Sequence, residues 1–125
     1  MRVVVVGAGT VGSNIANYLT RDNHDVIVVD TKESKLQDVE DHTDVQTVHG
    51  DACDPSVLEM ILQAGEISLL LAVTEQDNTN LIIAYAAKSM GVSRVVARVR
   101  SRYYLDTSRV NYRDPLGIDL LLSPE

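Results

Sequence analysis

The chain has 125 residues, of which 45% are apolar, and its formal net charge is −7 at pH 7. This length fits a single domain, and the acidic balance argues against general nucleic-acid binding. No apolar run approaches the roughly 20 residues that span a bilayer, so we expect no direct membrane insertion. The single cysteine, Cys53, allows no intrachain disulfide and fits a reducing compartment. No histidine lies at metal-ligand spacing from it, so no metal site is expected.

Apolar runs of strand length alternate with helical patterns along the whole sequence. The predicted strands are residues 2–6, 25–30, 45–49, 67–73, 94–99 and 118–122. The predicted helices are residues 10–21, a short stretch capped by Thr31, a stretch between the N-cap Asp54 and Gly65, and residues 77–90 and 101–109. This alternation predicts an α/β fold, a Rossmann-like doubly wound sheet of six parallel strands in the order 3-2-1-4-5-6.

A glycine-rich turn follows the first predicted strand, with Gly7, Gly9 and Gly12 in a GxGxxG pattern. Gly7 allows the tight turn, Gly9 lets the backbone approach a pyrophosphate, and Gly12 lets the following helix pack closely on the strand. The phosphates are then expected at the N-terminus of that helix, where free N–H groups favour an anion. The alternative is a glycine-rich turn that binds no ligand.

An acidic residue, Asp30, ends the second predicted strand about twenty residues beyond these glycines. At that place a carboxylate accepts hydrogen bonds from both hydroxyls of an adenosine ribose. The same charge repels a 2′-phosphate, which disfavours NADP. Because NAD, ADP and ATP carry the same ribose, the sequence does not decide among these three.

Further candidates lie where the other predicted strands end, since ligands of such sheets bind at the carboxyl ends of the strands. They are Asp51, Ala52, Thr74 and Arg98. For Arg98 two roles stay open, binding of ligand charge or a structural ion network with a carboxylate such as Glu75 or Asp77. For Arg100 we favour the ion network.

The fourth predicted helix has an unusual composition. Asp77, Asn78 and Asn80 begin it, and helix capping is their expected role, with ligand contact as the alternative. The rest of the helix is apolar on almost every side: Leu81, Ile82, Ile83, Ala84, Tyr85, Ala86, Ala87 and Met90. Such a helix is buried on more than one side, so we predict a homodimer packed through it and through residues 103–105. The alternative is a slightly apolar free surface.

Over its whole length the sequence resembles the N-terminal nucleotide-binding domain, TrkA-N, of Trk-type potassium-uptake regulatory subunits, in the family called RCK or KTN. The motifs that carry the resemblance are Val6-Gly7-Ala8-Gly9-Thr10-Val11-Gly12, Val28-Val29-Asp30, Gly50-Asp51-Ala52, Ala72-Val73-Thr74, Asp77-Asn78, Asn80, Ala97-Arg98-Val99-Arg100 and Ser123-Pro124-Glu125. The resemblance implies a cytoplasmic, non-catalytic subunit that binds NAD(H), or ATP or ADP, and gates a membrane potassium transporter subunit by a ligand-dependent conformational change. It also implies a homodimer or a larger ring.

By this resemblance the cofactor-binding residues are Gly7, Ala8, Gly9, Thr10, Val11, Gly12, Asp30, Asp51, Ala52, Thr74 and Arg98. The resemblance places Asp51 and Ala52 by the adenine, and Thr74 by the phosphates or the second ribose. It implies no catalytic residue. In relatives a glutamate at the position of Glu125 can help to hold a divalent ion, but we assign no site to it here.

Members of this family usually continue into a crossover helix and a C-terminal lobe. This sequence ends at Glu125, where that helix is expected to begin, so we expect residues 1–125 to form a single nucleotide-binding N-terminal lobe. The competing function is that of a small NAD-dependent oxidoreductase. Hydride transfer needs a substrate pocket and a general acid or base, and neither is evident in the sequence.

Overall fold

The computed structural model describes residues 1–124, so Glu125 lies outside the described residues. The helices are α1 (Thr10–Arg21), α2 (Glu33–His42), α3 (Pro55–Gln63) and α4 (Asp77–Ser89), with a short 3₁₀ helix at Arg102–Tyr104. The strands are β1 (Arg2–Val6), β2 (Asp25–Asp30), β3 (Gln46–His49), β4 (Leu69–Ala72), β5 (Arg94–Arg98) and β6 (Leu120–Leu122). The strands pair in parallel in the order β3-β2-β1-β4-β5-β6, which confirms the predicted Rossmann-like sheet.

The centre of the sheet is β1, which pairs with β2 on one side and with β4 on the other. Because side chains alternate along a strand, Val3 and Val5 pack with α1 and α2, whereas Val4 and Val6 pack with α3 and α4. All four valines are almost completely buried. A continuous apolar run is therefore what this strand requires, since helices cover both of its faces.

The order in which successive strands are added to the sheet reverses at β1. From β1 the chain passes outward through β2 to β3, and it then crosses the sheet to β4 on the other side of β1. The connections that leave β1 and β4 therefore diverge at the carboxyl ends of these strands. A crevice opens there, at the place where ligands of open α/β sheets bind.

Helix α2 begins one residue later than a Thr31 cap requires. Its N-cap is Lys32, and no side chain caps it, so the predicted Thr31 cap is wrong. The reason lies in Asp30, whose Oδ1 accepts a hydrogen bond from the backbone N–H of Lys32 at 2.8 Å. This side-chain turn competes with helix formation at Thr31 and delays the first helical residue to Glu33.

The other predicted boundaries agree to within one residue except in three places, one of which is strand β6, which begins at Leu120 rather than at residue 118. Strand β4 is shorter than the predicted 67–73, although Ile67 and Val73 are buried beyond its two ends. The predicted helix at 101–109 is only the 3₁₀ turn, because Asp106 Oδ1 accepts hydrogen bonds from the backbone and the hydroxyl of Ser108 and so ends it.

Helix α3 begins as predicted. The Oδ1 of its N-cap, Asp54, accepts a hydrogen bond from the backbone N–H of Ser56 at 3.0 Å, and this bond lowers the pKa of the Asp54 carboxyl. Within residues 1–124, no helix has both the length and the apolar character needed to cross a membrane.

Candidate functional site

A cleft of about 390 Å³ lies at the carboxyl ends of the strands, in the crevice described above. Most of the residues predicted to bind a cofactor line it, namely Gly7, Gly9, Thr10, Val11, Asp30, Asp51, Ala52, Thr74 and Arg98. The two others, Ala8 and Gly12, act from outside the lining, as the geometry of the turn explains. The fold therefore brings the predicted residues together at one place.

Glycine is required or favoured at each of the three positions of the turn for a different geometric reason. Gly7 has φ +109°, and a Cβ there would lie 3.0 Å from the backbone nitrogen of Thr74. A Cβ on Gly12 would overlap the carbonyl oxygen of Gly7, so α1 can lie this close to β1 only with glycine at that position. A Cβ on Gly9 would have no neighbour within 4 Å, because this residue borders the open cleft.

The N-terminus of α1 points its backbone amides toward the cleft. Its N-cap is Gly9, which offers no side chain to the first-turn N–H groups, and the amide of Ser13 is the first to reach a carbonyl, that of Gly9, at 2.9 Å. Thr10 and Val11 line the cleft. Free amides and the positive end of the helix dipole together make a site suited to a phosphate or diphosphate.

The carboxylate of Asp30 is fixed by two backbone amides. Its Oδ2 accepts a hydrogen bond from Ala8 N at 2.8 Å, and its Oδ1 accepts one from Lys32 N at 2.8 Å. Each carboxylate oxygen keeps a free lone pair, so both remain able to accept from a ribose diol. The hydrogen bond from Ala8 explains why Ala8 belongs to the motif, since this bond connects the glycine turn to Asp30.

The turn after β3 also lines the cleft. Asp51 Oδ1 accepts a hydrogen bond from Cys53 N at 2.9 Å, and Ala52 between them is buried. Burial, and then the neighbouring Asp51 carboxylate, raises the pKa of the Cys53 thiol. A thiol held neutral in this way is a poor nucleophile, so Cys53 is not suited to a reactive role.

Arg98 makes no ion pair with any carboxylate of residues 1–124. Its Nη1 donates to the carbonyl oxygen of Thr74 at 3.3 Å, and its Nε is buried without a hydrogen-bond partner among the described residues. The ion network considered for Arg98 is therefore wrong. A buried donor with no partner at the lining of a cleft indicates a place for an acceptor that comes from a ligand.

The ion network favoured for Arg100 is also wrong. This side chain is exposed, and its Nη1 donates to the backbone carbonyl of Glu75 at 3.5 Å rather than to a carboxylate. The backbone N–H of Arg100 donates to Asp77 Oδ1 at 2.8 Å, and that of Ser101 donates to Asp77 Oδ2 at 3.0 Å. Asp77 therefore ties α4 to the chain after β5 instead of capping α4, whose N-cap is Gln76.

Asn80 has a larger part in the site than the sequence suggested. It is completely buried, and its amide group bonds to Thr74 and to the carbonyl oxygen of Arg98. It therefore links the ends of β4 and β5 to α4, and the predicted capping role is wrong. The available signal was an amide residue directly before the apolar run that begins at Leu81, within the first turn of the predicted helix.

Comparison with known families and structures decides the relationship. Residues 3–124 match the family model of the TrkA-N domain. The chain belongs to the TrkA-N family. This TrkA-N domain is 38% identical to the Trk system potassium uptake protein TrkA homolog of Archaeoglobus fulgidus, over 100% of the chain and 28% of that protein. It is 35% identical to the Trk system potassium uptake protein TrkA of Halomonas elongata, over 100% of the chain and 27% of that protein. The domain thus spans about a quarter of the length of these relatives.

Solved structures with the same fold include an NAD(P)-binding domain and an AMP-bound domain. The NAD(P)-binding domain of an exopolyphosphatase-related protein from Archaeoglobus fulgidus has a TM-score of 0.77 at 22% identity, covering 97% of this TrkA-N domain and 86% of that chain. The Kef C-terminal domain of Shewanella denitrificans in its AMP-bound form has a TM-score of 0.74 at 20% identity, covering 99% of this TrkA-N domain and 72% of that chain. At this identity the likeness establishes the fold alone.

Proposed function

We propose that this chain is a non-enzymatic sensing domain of a potassium-uptake regulatory subunit in the cytoplasm. It binds NAD(H), or ATP or ADP, in the cleft, and the bound nucleotide gates a membrane potassium transporter subunit. One observation carries the proposal: Ala8 N donates to Asp30 Oδ2 at 2.8 Å. This bond makes the amide-lined phosphate cradle and the ribose-binding carboxylate one rigid unit, with the spacing between them already set.

The nucleotides named for the structural neighbours support an adenosine ligand. One neighbour is described as NAD(P)-binding and another as AMP-bound, and these ligands share adenosine monophosphate. The α1 N-terminus suits the phosphate of that moiety, and Asp30 suits its ribose. Because a carboxylate repels a 2′-phosphate, we propose NAD(H) rather than NADP(H) among the dinucleotides.

The side chains around the cleft support sensing rather than catalysis. Among the described lining residues there are lysines and one cysteine, but neither histidine nor tyrosine. The raised pKa of Cys53 keeps its thiol neutral. A hydride-transfer enzyme needs a general acid or base near the reacting carbon, a part most often taken by histidine.

The outward side of α4 supports pairing of two copies. Leu81, Ile83, Ala84 and Ala87 face the sheet and are buried, whereas Ile82 and Tyr85 are 52% and 48% exposed. Tyr103, after β5, is 82% exposed. We propose that these exposed side chains form the homodimer contact, alone or within a larger ring. A nucleotide that binds one dimer geometry better than another shifts the population toward it.

Thermal unfolding with NADH, NAD, ATP, ADP and NADPH tests the binding part of this proposal. A ligand present at 100 times its dissociation constant adds about 2.7 kcal/mol to the unfolding free energy, which is readily measured. We expect NADH, NAD, ATP or ADP to stabilise the domain and NADPH to have a smaller effect. Stabilisation by NADPH alone would contradict the role given to Asp30.

Two substitutions in the same strand make the test specific. Asp30→Ala removes the ribose acceptor and is expected to weaken every adenosine ligand at least tenfold, about 1.4 kcal/mol. Asp25→Ala, at the opposite end of β2 where the side chain is exposed, is the matched control and is expected to leave the affinities unchanged. Equal affinities in both variants, or steady consumption of NADH with a small carbonyl compound, would overturn the proposal.

A further inference from the structure

The side-chain amide of Asn80 uses all of its hydrogen-bonding capacity inside the protein. Its Oδ1 accepts from Thr74 N at 2.9 Å and from Thr74 Oγ1 at 2.6 Å. Its Nδ2 donates to Thr74 O at 3.0 Å and to Arg98 O at 2.9 Å. Reversing the amide would place its nitrogen against an N–H donor and its oxygen against two carbonyls, so this orientation is the only one that the surroundings accept.

The hydroxyl of Thr74 is consequently left with one free lone pair. A threonine hydroxyl has one proton and two lone pairs. The proton goes to Asn80 Oδ1, since the other acceptor within reach, Gln76 O, is at the longer distance of 3.4 Å. One lone pair accepts from Gln76 N at 3.2 Å. The hydroxyl can therefore accept one further hydrogen bond but not donate one, and Thr74 is among the residues that line the cleft.

We propose that Asn80 is a positioning residue that determines ligand specificity, because it fixes Thr74 as a hydrogen-bond acceptor. A phosphate at neutral pH only accepts hydrogen bonds, so it receives none from this hydroxyl. Its oxygens are instead repelled by the free lone pair of the Thr74 hydroxyl. A second ribose carries hydroxyl donors and satisfies it. The cleft is therefore built for a dinucleotide, in which a second ribose follows the diphosphate, in preference to a nucleoside triphosphate. This inference rests on the proposed function, since it requires an adenosine diphosphate moiety on α1 and Asp30.

The neighbouring Arg98 agrees with a cleft in which donors bind the diphosphate and an acceptor binds the second ribose. Its backbone carbonyl is held by Asn80, and its guanidinium has a buried Nε without a partner. Donors for the diphosphate thus come from the α1 amides and from Arg98, and the acceptor beyond them is Thr74. Asn80 orders both strand ends although it does not itself line the cleft.

Calorimetric titration of the whole chain with AMP, ADP, ADP-ribose and ATP tests the assignment. The informative quantity is the affinity ratio of ADP-ribose to ADP, compared between wild type and variants, since the adenosine part is common to both ligands. Thr74→Val removes the acceptor, and this ratio is expected to fall about fivefold, the value of one neutral hydrogen bond. The ratio is the readout, rather than the affinity of any single ligand, because Thr74 belongs to the cleft lining.

Two further variants separate the hydroxyl from the general shape of the site. Thr74→Ser keeps the hydroxyl and is expected to restore the wild-type ratio. Thr107→Val, in an exposed segment outside the cleft lining, is the matched control. Both Thr74 variants keep the bond from the backbone N–H of residue 74 to Asn80 Oδ1, so their folding is expected to be retained.

Asn80→Ala tests the positioning role directly, because it frees the Thr74 proton. The affinity of ATP relative to ADP-ribose is then expected to rise about fivefold, since the hydroxyl can now donate to a phosphate. A merely structural role would weaken both ligands equally, and an unchanged ratio would overturn the proposal. If this variant does not fold, the Thr74 variants decide the matter.

The failures of the two proposals are distinguishable. Binding of AMP and ADP that Asp30→Ala weakens, together with an affinity ratio that Thr74→Val leaves unchanged, would overturn this inference alone. A larger loss for ATP than for ADP-ribose in Thr74→Val would do the same, because it would place a phosphate at the hydroxyl. Failure of all four ligands to bind the wild-type chain would overturn the proposed function and this inference with it.

Discussion

The close approach of α1 to β1 leads to a sharp prediction for Gly12→Ala. A Cβ at this position would overlap the carbonyl oxygen of Gly7 and lie 2.9 Å from its carbonyl carbon. Both atoms are backbone, so no side chain can turn aside, and α1 must move away by about 1.5 Å to reach ordinary contact distances. The helix packs Ala16, Ile15 and Leu19 against the sheet, and a gap of that size forfeits about half or more of each contact.

The expected cost of Gly12→Ala is about 3 kcal/mol of unfolding free energy, the upper part of the range for overpacked cores. For a domain of this size that corresponds to a fall in melting temperature of about 10 °C. Circular dichroism melting and urea titration measure both quantities. The same displacement moves the α1 amides, so nucleotide affinity is expected to fall together with stability.

Gly9→Ala is the matched control, because a Cβ there meets no atom within 4 Å and the φ of −75° suits any residue. We expect a loss of stability below about 1 kcal/mol, as for an N-cap changed to alanine, but a strong loss of nucleotide affinity. A Gly12→Ala variant that melts within 1 or 2 °C of wild type would refute the steric reasoning. A Gly9→Ala variant that binds nucleotide normally would refute the reading of the cleft.

Two further predictions concern pairing and stability. Tyr85→Glu places a charge on the exposed side of α4 next to Ile82, and sedimentation equilibrium is expected to show dimerisation at least tenfold weaker. Melting is expected to be unchanged only at concentrations where both proteins are monomeric, because dimerisation itself stabilises the folded state. A wild-type monomer at micromolar concentration would contradict the dimer. Asp119→Asn is expected to destabilise the domain by about 1 kcal/mol at neutral pH. In the wild type a hydrogen bond from Val95 N, and to a smaller extent the hydrogen bond and charge of Lys88, lower the pKa of the Asp119 carboxyl. A lowered pKa gives stability that is present above about pH 4 and lost as the pH falls through the lowered value, so wild type and variant should converge in acid; a constant difference in urea titrations would contradict this.

The features that the sequence predicts well are those with a local cause. A run of valines followed by GxGxxG specifies a buried strand, a turn and a helix within a few residues, and the strand and helix bounds 2–6 and 10–21 match the structure. Asp54 is a correct N-cap because its partner, Ser56, is only two residues away. The strand order is also correct, since it follows from the alternation of elements and the handedness of the crossovers.

The features that the sequence predicts poorly depend on partners far along the chain. Asp77 resembles a helix cap, yet its carboxylate accepts hydrogen bonds from the amides of Arg100 and Ser101, which only the folded sheet brings near. Asn80 similarly binds the carbonyl of Arg98. A polar residue at the head of a helix has the same sequence pattern whether it satisfies its own helix or a neighbouring strand, so the pattern cannot separate the two roles.

The same helix that holds the cleft in order also carries the proposed contact with a second copy. Asn80 and Asp77 fasten the start of α4 to the ends of β4 and β5, whereas Ile82 and Tyr85 on the following turns stay exposed. A nucleotide that contacts Thr74 therefore acts on the strand end to which α4 is fastened. The outer side of this helix is the proposed dimer surface. Coupling between two sites is reciprocal, and typical values of 1–3 kcal/mol change an affinity by about 5- to 150-fold. If α4 transmits the signal, the monomeric Tyr85→Glu variant must bind nucleotide with an affinity different from that of the wild-type dimer. Because a dimer has two clefts, saturating nucleotide must then change the dimerisation constant of the wild type by the square of that per-site factor. Equal nucleotide affinities in monomer and dimer would mean that the cleft and the helix surface are energetically independent.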